Sequence, residues 1–163
     1  MVEFTDYQCP FCRRFHDATF PEIKKNYIDT GKLRFASRDL PLGFHQNAFR
    51  AAEAARCAGD QNQFWQMREL LSANPSKLSA DDITGYAKSL SLKLPEFDAC
   101  LSSEKYKPSI EKDKALATSL HITGTPSFII GKSTPAGVDG IVVMGAYPFA
   151  SFDAKFKEFE SAK

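Results

Sequence analysis

The sequence predicts an α/β domain whose sheet is divided by a helical insertion. Three observations predict it: strand-type stretches near both ends of the chain, helical periodicity sustained from about residue 44 to about residue 120, and a Cys-Pro-Phe-Cys motif between the first strand and the first helix.

Val2-Glu3-Phe4-Thr5 reads as a strand that runs straight into the cysteines. Because a strand begins so early, an upstream strand, leader or anchor is expected to precede Met1. A helix is expected from about Cys9, with Pro10 in its first turn, Phe11, Phe15, Ala18 and Ile23 along one broad face, and a kink at Pro21. The alternation of "KLRFAS" after Thr30-Gly31 predicts a second strand over Leu33–Ser37. The Ala-rich "QNAFRAAEAARCAG" then stops at Gly59, Asp60 is expected to cap "QNQFWQMRELL", and Ser79 with Asp82 forms a capping box for "ITGYAKSL". Pro95 and Pro108 suit the first turns of two further helices, the last ending near His121. Strands return at 127–130 and 141–147, expected as a hairpin with a long loop. A closing helix from Phe149 to about Glu160 places Phe152, Phe156 and Phe159 on one side.

At 163 residues, 43% of them apolar and 14 of them Phe, the chain can bury one core of ordinary size. A net charge of +1 with both signs spread along the chain gives no reason to expect nucleic acid or an anionic membrane surface as the main partner. No apolar run approaches the roughly 18 to 20 residues of a membrane span.

The four cysteines stand at 9, 12, 57 and 100. Paired disulfides would argue for an oxidising compartment, while a lone CxxC also suits the cytosol. Cys9 at a helix N-terminus meets unsatisfied backbone N–H groups and the positive end of the helix dipole, which favour thiolate over thiol and make it the nucleophile. Cys12, one turn further in, is placed to resolve a mixed disulfide at Cys9. Three other readings compete. A zinc site lacks the second close pair of ligands, a purely structural Cys9–Cys12 bridge closes too short a loop to stabilise much, and two inert core thiols do not explain the strand-CxxC-helix context.

"VEFTDYQCPFC" together with the later "ITGTPSFII" resembles the DsbA-like thiol–disulfide oxidoreductases of the thioredoxin superfamily, and the likeness covers essentially the whole chain. It implies a single domain, 1–163, with a thioredoxin-like part at 1–43 and 121–163 and a helical insert at 44–120. It also implies that Cys9 is the nucleophile, Cys12 its resolving partner, Thr125-Pro126 a cis-proline loop beside the disulfide, and Glu3 a buried acid that takes up a proton. A carboxyl buried beneath a dithiol has a raised pKa, and an exposed backbone at Thr125 can pair with an extended client segment. Two departures bear on direction. The Pro-Phe dipeptide replaces the Pro-His of strongly oxidising members, and Thr before the proline also occurs among thiol isomerases.

The resemblance further implies a Cys57–Cys100 disulfide, with two buried reduced thiols as the alternative. The implied activity is disulfide donation to thiol-bearing client proteins, with reduction or isomerisation, or chaperone-like binding, as the other readings. Implied besides are a membrane redox partner for reoxidation, no organic cofactor or metal, a monomer, and an extracytoplasmic location in the periplasm or on the outer face of the membrane. Phe49, Phe64 and Trp65 fit helical core stripes, though some could join Phe11 and Tyr147 in a shallow groove for unfolded clients. His16 and His45 lack ligand spacing and are expected as surface or capping residues.

Overall fold

The computed structural model describes residues 1–161. A four-stranded sheet in the order β2-β1-β3-β4 is built from β1 (Val2–Thr5), β2 (Ala36–Asp39), β3 (Ser127–Thr134) and β4 (Gly137–Met144). β1 runs parallel to β2 and antiparallel to β3, and β3 and β4 form a hairpin. The parallel pair is joined by α1 (Pro10–Ala18) and α2 (Phe20–Ile23), the latter continuing as a wider turn over Lys24–Ile28. The break falls at Thr19, just before Pro21, whose ring cannot continue a helix through the preceding carbonyl.

Five helices separate β2 from β3: α3 (Ala48–Gly59), α4 (Phe64–Ala73), α5 (Ala80–Ser89), α6 (Leu94–Ser102) and α7 (Lys107–Ser119). Small side chains let α3 sit at their centre, where Ala51, Ala54, Ala55 and Ala58 are buried against Met67, Leu71, Ile83, Phe97 and Ile110. Ser79 and Asp82 form a reciprocal capping box at the start of α5. Ser91 and His121 take positive φ just past α5 and α7, where the backbone closes on itself through Leu92 N to Ala87 O and Ile122 N to Ala117 O. Among the described residues, no helix is long and apolar enough to cross a membrane.

Period-two alternation assigns the faces of the sheet. Val2 and Phe4 pack with Leu40, Ala117 and Ile122 toward α7. Glu3 points to the opposite face, level with Phe128 and Ser37 in register, and on that face Phe128 packs with Phe15 of α1 and Phe152 of α8 (Phe149–Ser161). That second core is aromatic, with Phe15, Phe128 and Phe152 meeting at centroid distances of 4.6 to 5.5 Å.

Three expectations are corrected. β2 lies at 36–39 rather than 33–37, because its ladder begins where Ala36 meets Val2; Leu33 and Phe35 instead pack as side chains on the aromatic core. The hairpin is tight, not long-looped: Thr134 pairs with Gly137 and only Pro135-Ala136 connect them. Gly131 and Gly140 stand opposite each other so closely that a Cβ on either would strike the facing backbone, so these glycines serve close approach inside the ladder rather than a loop. Finally, Asp60 caps no N-terminus. It lies at the end of α3, α4 starts after Gln63, and the Asp60 carboxylate accepts from Lys105 Nζ at 2.7 Å and Tyr106 OH at 2.6 Å.

Cys57 and Cys100 are bonded, linking α3 to α6. Replacing both by alanine frees a loop with a sequence separation of 43. It should cost about 4 kcal/mol of unfolding free energy in a denaturant titration, on the loop-entropy account.

Candidate active site

The site is assembled around the turn between β1 and α1. Asp6 closes that turn: its carboxylate Oδ1 accepts the Gln8 N–H at 2.7 Å and its carbonyl accepts the Cys9 N–H at 3.1 Å. Cys9 then occupies the N-cap of α1 in extended backbone, with Pro10 immediately inside the helix. Its sulfur lies 3.4 Å from the carbonyl oxygen of Thr125, and the Thr125–Pro126 peptide bond is cis. The structure therefore brings Cys9, Cys12 and the Thr125-Pro126 loop together from opposite ends of the chain.

The two thiols are both buried, free and unlike. The Cys12 thiol donates toward Cys9, Thr125 adds to the effect, and the backbone N–H groups of Cys12 and Phe11 point at the same sulfur. Against the opposing pull of burial, these lower the Cys9 pKa to about 5. Burial pushes Cys12 well above the ordinary thiol range, reinforced by its hydrogen bond to Cys9 and by the charges of Cys9 and Glu3. Thr125 presents two groups here: its carbonyl takes the Cys9 thiol, and its buried hydroxyl, which has no other partner, is the one that favours the thiolate. A Cys9 thiolate, which can only accept, would turn that requirement toward the hydroxyl.

Glu3 sits on the same face of β1, fully buried and paired with Arg68 Nη2 of α4. Burial raises its carboxyl, and Arg68 offsets part of that rise. Arg68 is itself 2% exposed, with its guanidinium 5.3, 5.4 and 5.8 Å from the rings of Phe20, Phe35 and Trp65 and its Nε 3.4 Å from Ser37 Oγ. Sequence reasoning missed Arg68. Its signal was a charge on the apolar stripe Phe64, Met67, Leu71, at a position from which it must point inward.

His16 is not a surface or capping residue. It stacks on Phe20 at 5.4 Å, and burial with the nearby Arg68 charge lowers its pKa to about 4, so the ring is neutral at physiological pH. It lines a groove of about 740 Å³ with Phe20, Phe35, Trp65 and Arg68. Phe64 and Phe49 pack against the helical core, whereas Trp65 is 49% exposed and forms the groove wall. Phe11 and Tyr147 stand out into solvent beside the site, tied to each other's segments by Arg14, which lies over the Phe11 ring and donates to Ala146 O at 3.4 Å. Among the described residues, no cluster of His, Cys, Asp and Glu could hold a metal ion.

Comparison with known proteins bears on this geometry. The chain is 33% identical over 153 residues to the Na(+)/H(+) antiporter NhaA 1 of Salinispora arenicola, a match spanning 93% of this chain and 23% of that protein. It is 31% identical over 136 residues to a putative protein-disulfide oxidoreductase of Rickettsia felis, covering 80% of this chain and 48% of the relative. The match to disulfide bond formation protein D of Bacillus subtilis is 30% over 139 residues, covering 80% and 62%. The chain thus spans about a quarter of the length of the antiporter relatives and about half that of the rickettsial oxidoreductases.

Among solved structures, alpha-DsbA1 of Wolbachia pipientis superposes with a TM-score of 0.83 at 25% identity, over 97% of this chain and 83% of that one. Oxidised BdbD of Bacillus subtilis gives 0.77 at 26%, over 96% and 84%. A family model described as Thioredoxin matches residues 1–137. With that match and the helical insertion shared with these neighbours, the chain belongs to the thioredoxin family, in its DsbA-like form.

Proposed function

We propose that the chain is a thiol–disulfide oxidoreductase that exchanges disulfides with protein thiols through Cys9 and Cys12, working chiefly as a disulfide donor. The observation that carries this reading is the inequality of the pair: Cys9 lowered to about 5, Cys12 pushed far up, one turn apart at a helix start. In the donating direction a client thiolate attacks Cys9 of the Cys9–Cys12 disulfide, and Cys12 leaves and takes a proton. A second client thiol then attacks the client sulfur of the mixed disulfide, releasing Cys9 as a stable thiolate. A sulfur with so low a pKa is a good leaving group, which favours a reduced enzyme and an oxidised client.

Thr125 and Pro126 border the reacting sulfur and offer backbone to an extended client segment. The Glu3 charge acts on Cys12, raising that thiol and helping to return the proton to it. Clients are proteins with paired thiols, the exposed Phe11 and Tyr147 giving them apolar contact beside the site. Reoxidation belongs to a membrane redox partner, and the protein acts as an extracytoplasmic monomer that needs no cofactor. The Pro-Phe dipeptide and Thr125 favour one second reading, reduction or isomerisation.

The reduction potential of Cys9/Cys12, measured in graded glutathione buffers, decides between the two. A value near about −120 to −180 mV is expected for a donor, and one near about −250 mV or below moves the protein to the reductive side. The same titration tests the unequal thiols. Above pH of about 5 the reduced pair holds one proton, on Cys12, so the potential should fall by about 30 mV per pH unit for two electrons. Below that pH both sulfurs are protonated and the slope should double. A single steep slope through neutrality would mean that Cys9 is an ordinary thiol.

A further inference from the structure

We infer that His45, held by Asp6, is the general base and acid for thiol exchange at Cys9, a role that rests on the oxidoreductase reading above. The Asp6 side chain has no exposed surface, and its two oxygens receive three donors: Gln8 N–H at 2.7 Å on Oδ1, and Leu42 N–H and His45 Nδ1, each at 2.8 Å, on Oδ2. A carboxylate so employed only accepts, so Nδ1 carries the hydrogen and Nε2 is left as the basic nitrogen. Among the described residues nothing bonds Nε2, and the imidazole is 17% exposed, open on one side.

The dyad is tied to the turn that presents the nucleophile. Asp6 O accepts the Cys9 N–H at 3.1 Å, and the loop carrying His45 is fastened on both flanks: Leu42 N to Asp6, and Asn47 N to Gln8 Oε1 at 2.9 Å. The backbone donors already hold this turn, so the imidazole adds little to its shape. Beside it Phe44 is 76% exposed and meets the His45 ring edge-on at 4.5 Å, which puts an apolar contact for a client next to a proton acceptor. A buried carboxylate, an imidazole oriented by it and an open Nε2, all carried by the turn that presents the reacting sulfur, supply the parts with which histidine activates a nucleophile.

Nε2 takes the proton of a client thiol. The resulting thiolate attacks Cys9, a client–Cys9 S–S bond forms, the Cys9–Cys12 bond breaks, and Cys12 leaves as a thiolate that takes up a proton while the imidazolium releases its own. When the second client thiol displaces Cys9, its proton passes through the same nitrogen to solvent. Two client sulfurs are oxidised and the enzyme disulfide is reduced. In the opposite direction the imidazolium protonates the departing client thiolate, so the role does not depend on which way the enzyme works.

The test compares oxidised wild type and His45→Asn, whose amide N–H still reaches Asp6 but which has no basic nitrogen. Single-turnover rates are measured near pH 7 with two thiols: a cysteine peptide, mostly protonated there, and a nitro-substituted aromatic thiol that is already ionised. The peptide reaction should slow by about 10²-fold, the lower end of general-base effects, while the aromatic thiolate reacts as before. The reduction potential should stay fixed, and added imidazole should restore part of the peptide rate. His45→Gln, run alongside, should behave in the same way. Equal slowing with both thiols, or none with either, overturns the inference. Wild type inert toward both thiols overturns the oxidoreductase reading and this role with it, an outcome distinct from a variant that merely matches an active wild type.

Discussion

Cys9→Ser should reduce disulfide exchange to the uncatalysed background while leaving a folded protein. Cys9 is the sulfur whose anion the fold stabilises: the Cys12 thiol, Thr125 and two backbone N–H groups lower its pKa to about 5. A serine hydroxyl in the same cradle remains protonated and can neither form nor leave a disulfide. The assay is recovery of activity from a reduced, disulfide-dependent substrate protein in a glutathione buffer. Cys12→Ser should behave differently. Cys9 keeps its nucleophilicity without a resolving partner, so mixed disulfides between Cys9 and clients accumulate and appear as mass adducts that reductant removes. Wild type and Cys9→Ser of equal refolding activity would sink the oxidoreductase reading and leave the chaperone-like one, in which the exposed Phe11, Phe44 and Tyr147 hold clients without chemistry.

What was legible in the sequence was what local chemistry encodes. A strand, a CxxC and a helix follow one another within the first 18 residues, and the capping box at Ser79 and Asp82 is a short-range signal. Features that depend on distant partners were hidden. Gly131 and Gly140 read as loop residues because the reason for each is the backbone across the hairpin. Asp60 looks like a cap until Lys105 and Tyr106 arrive from beyond α6. The bond between Asp6 and His45 crosses 39 positions, and neither residue carries a spacing that announces the other. The Cys57–Cys100 bond was suggested by likeness to relatives rather than by any property of the intervening residues. Arg68 was the most readable of the missed groups: a buried Glu3 needs a cation, and only a charge on an inward stripe can supply one.

That pairing sets the second large expectation. Arg68→Ala should lower the unfolding free energy by about 3 to 5 kcal/mol near neutral pH, since it strands a buried carboxylate at Glu3 and opens a void among Phe20, Phe35 and Trp65. The two causes separate by pH. Burial already raises the Glu3 pKa in the folded protein, and removing Arg68, which acts to lower it, raises it further. A carboxyl whose folded pKa lies above its unfolded value binds its proton more tightly when folded, so the penalty is absent below the unfolded pKa, grows between the two values and is complete above the folded one. Urea titrations should therefore show the gap between wild type and Arg68→Ala narrowing as pH falls toward about 4, while the part due to the void persists. Combining Arg68→Met with Glu3→Gln should recover much of the loss at neutral pH, because no charge is then left uncompensated. A gap independent of pH, unrelieved in the double variant, would mean that Arg68 stabilises by packing alone and that Glu3 lies in a more polar setting than its burial indicates.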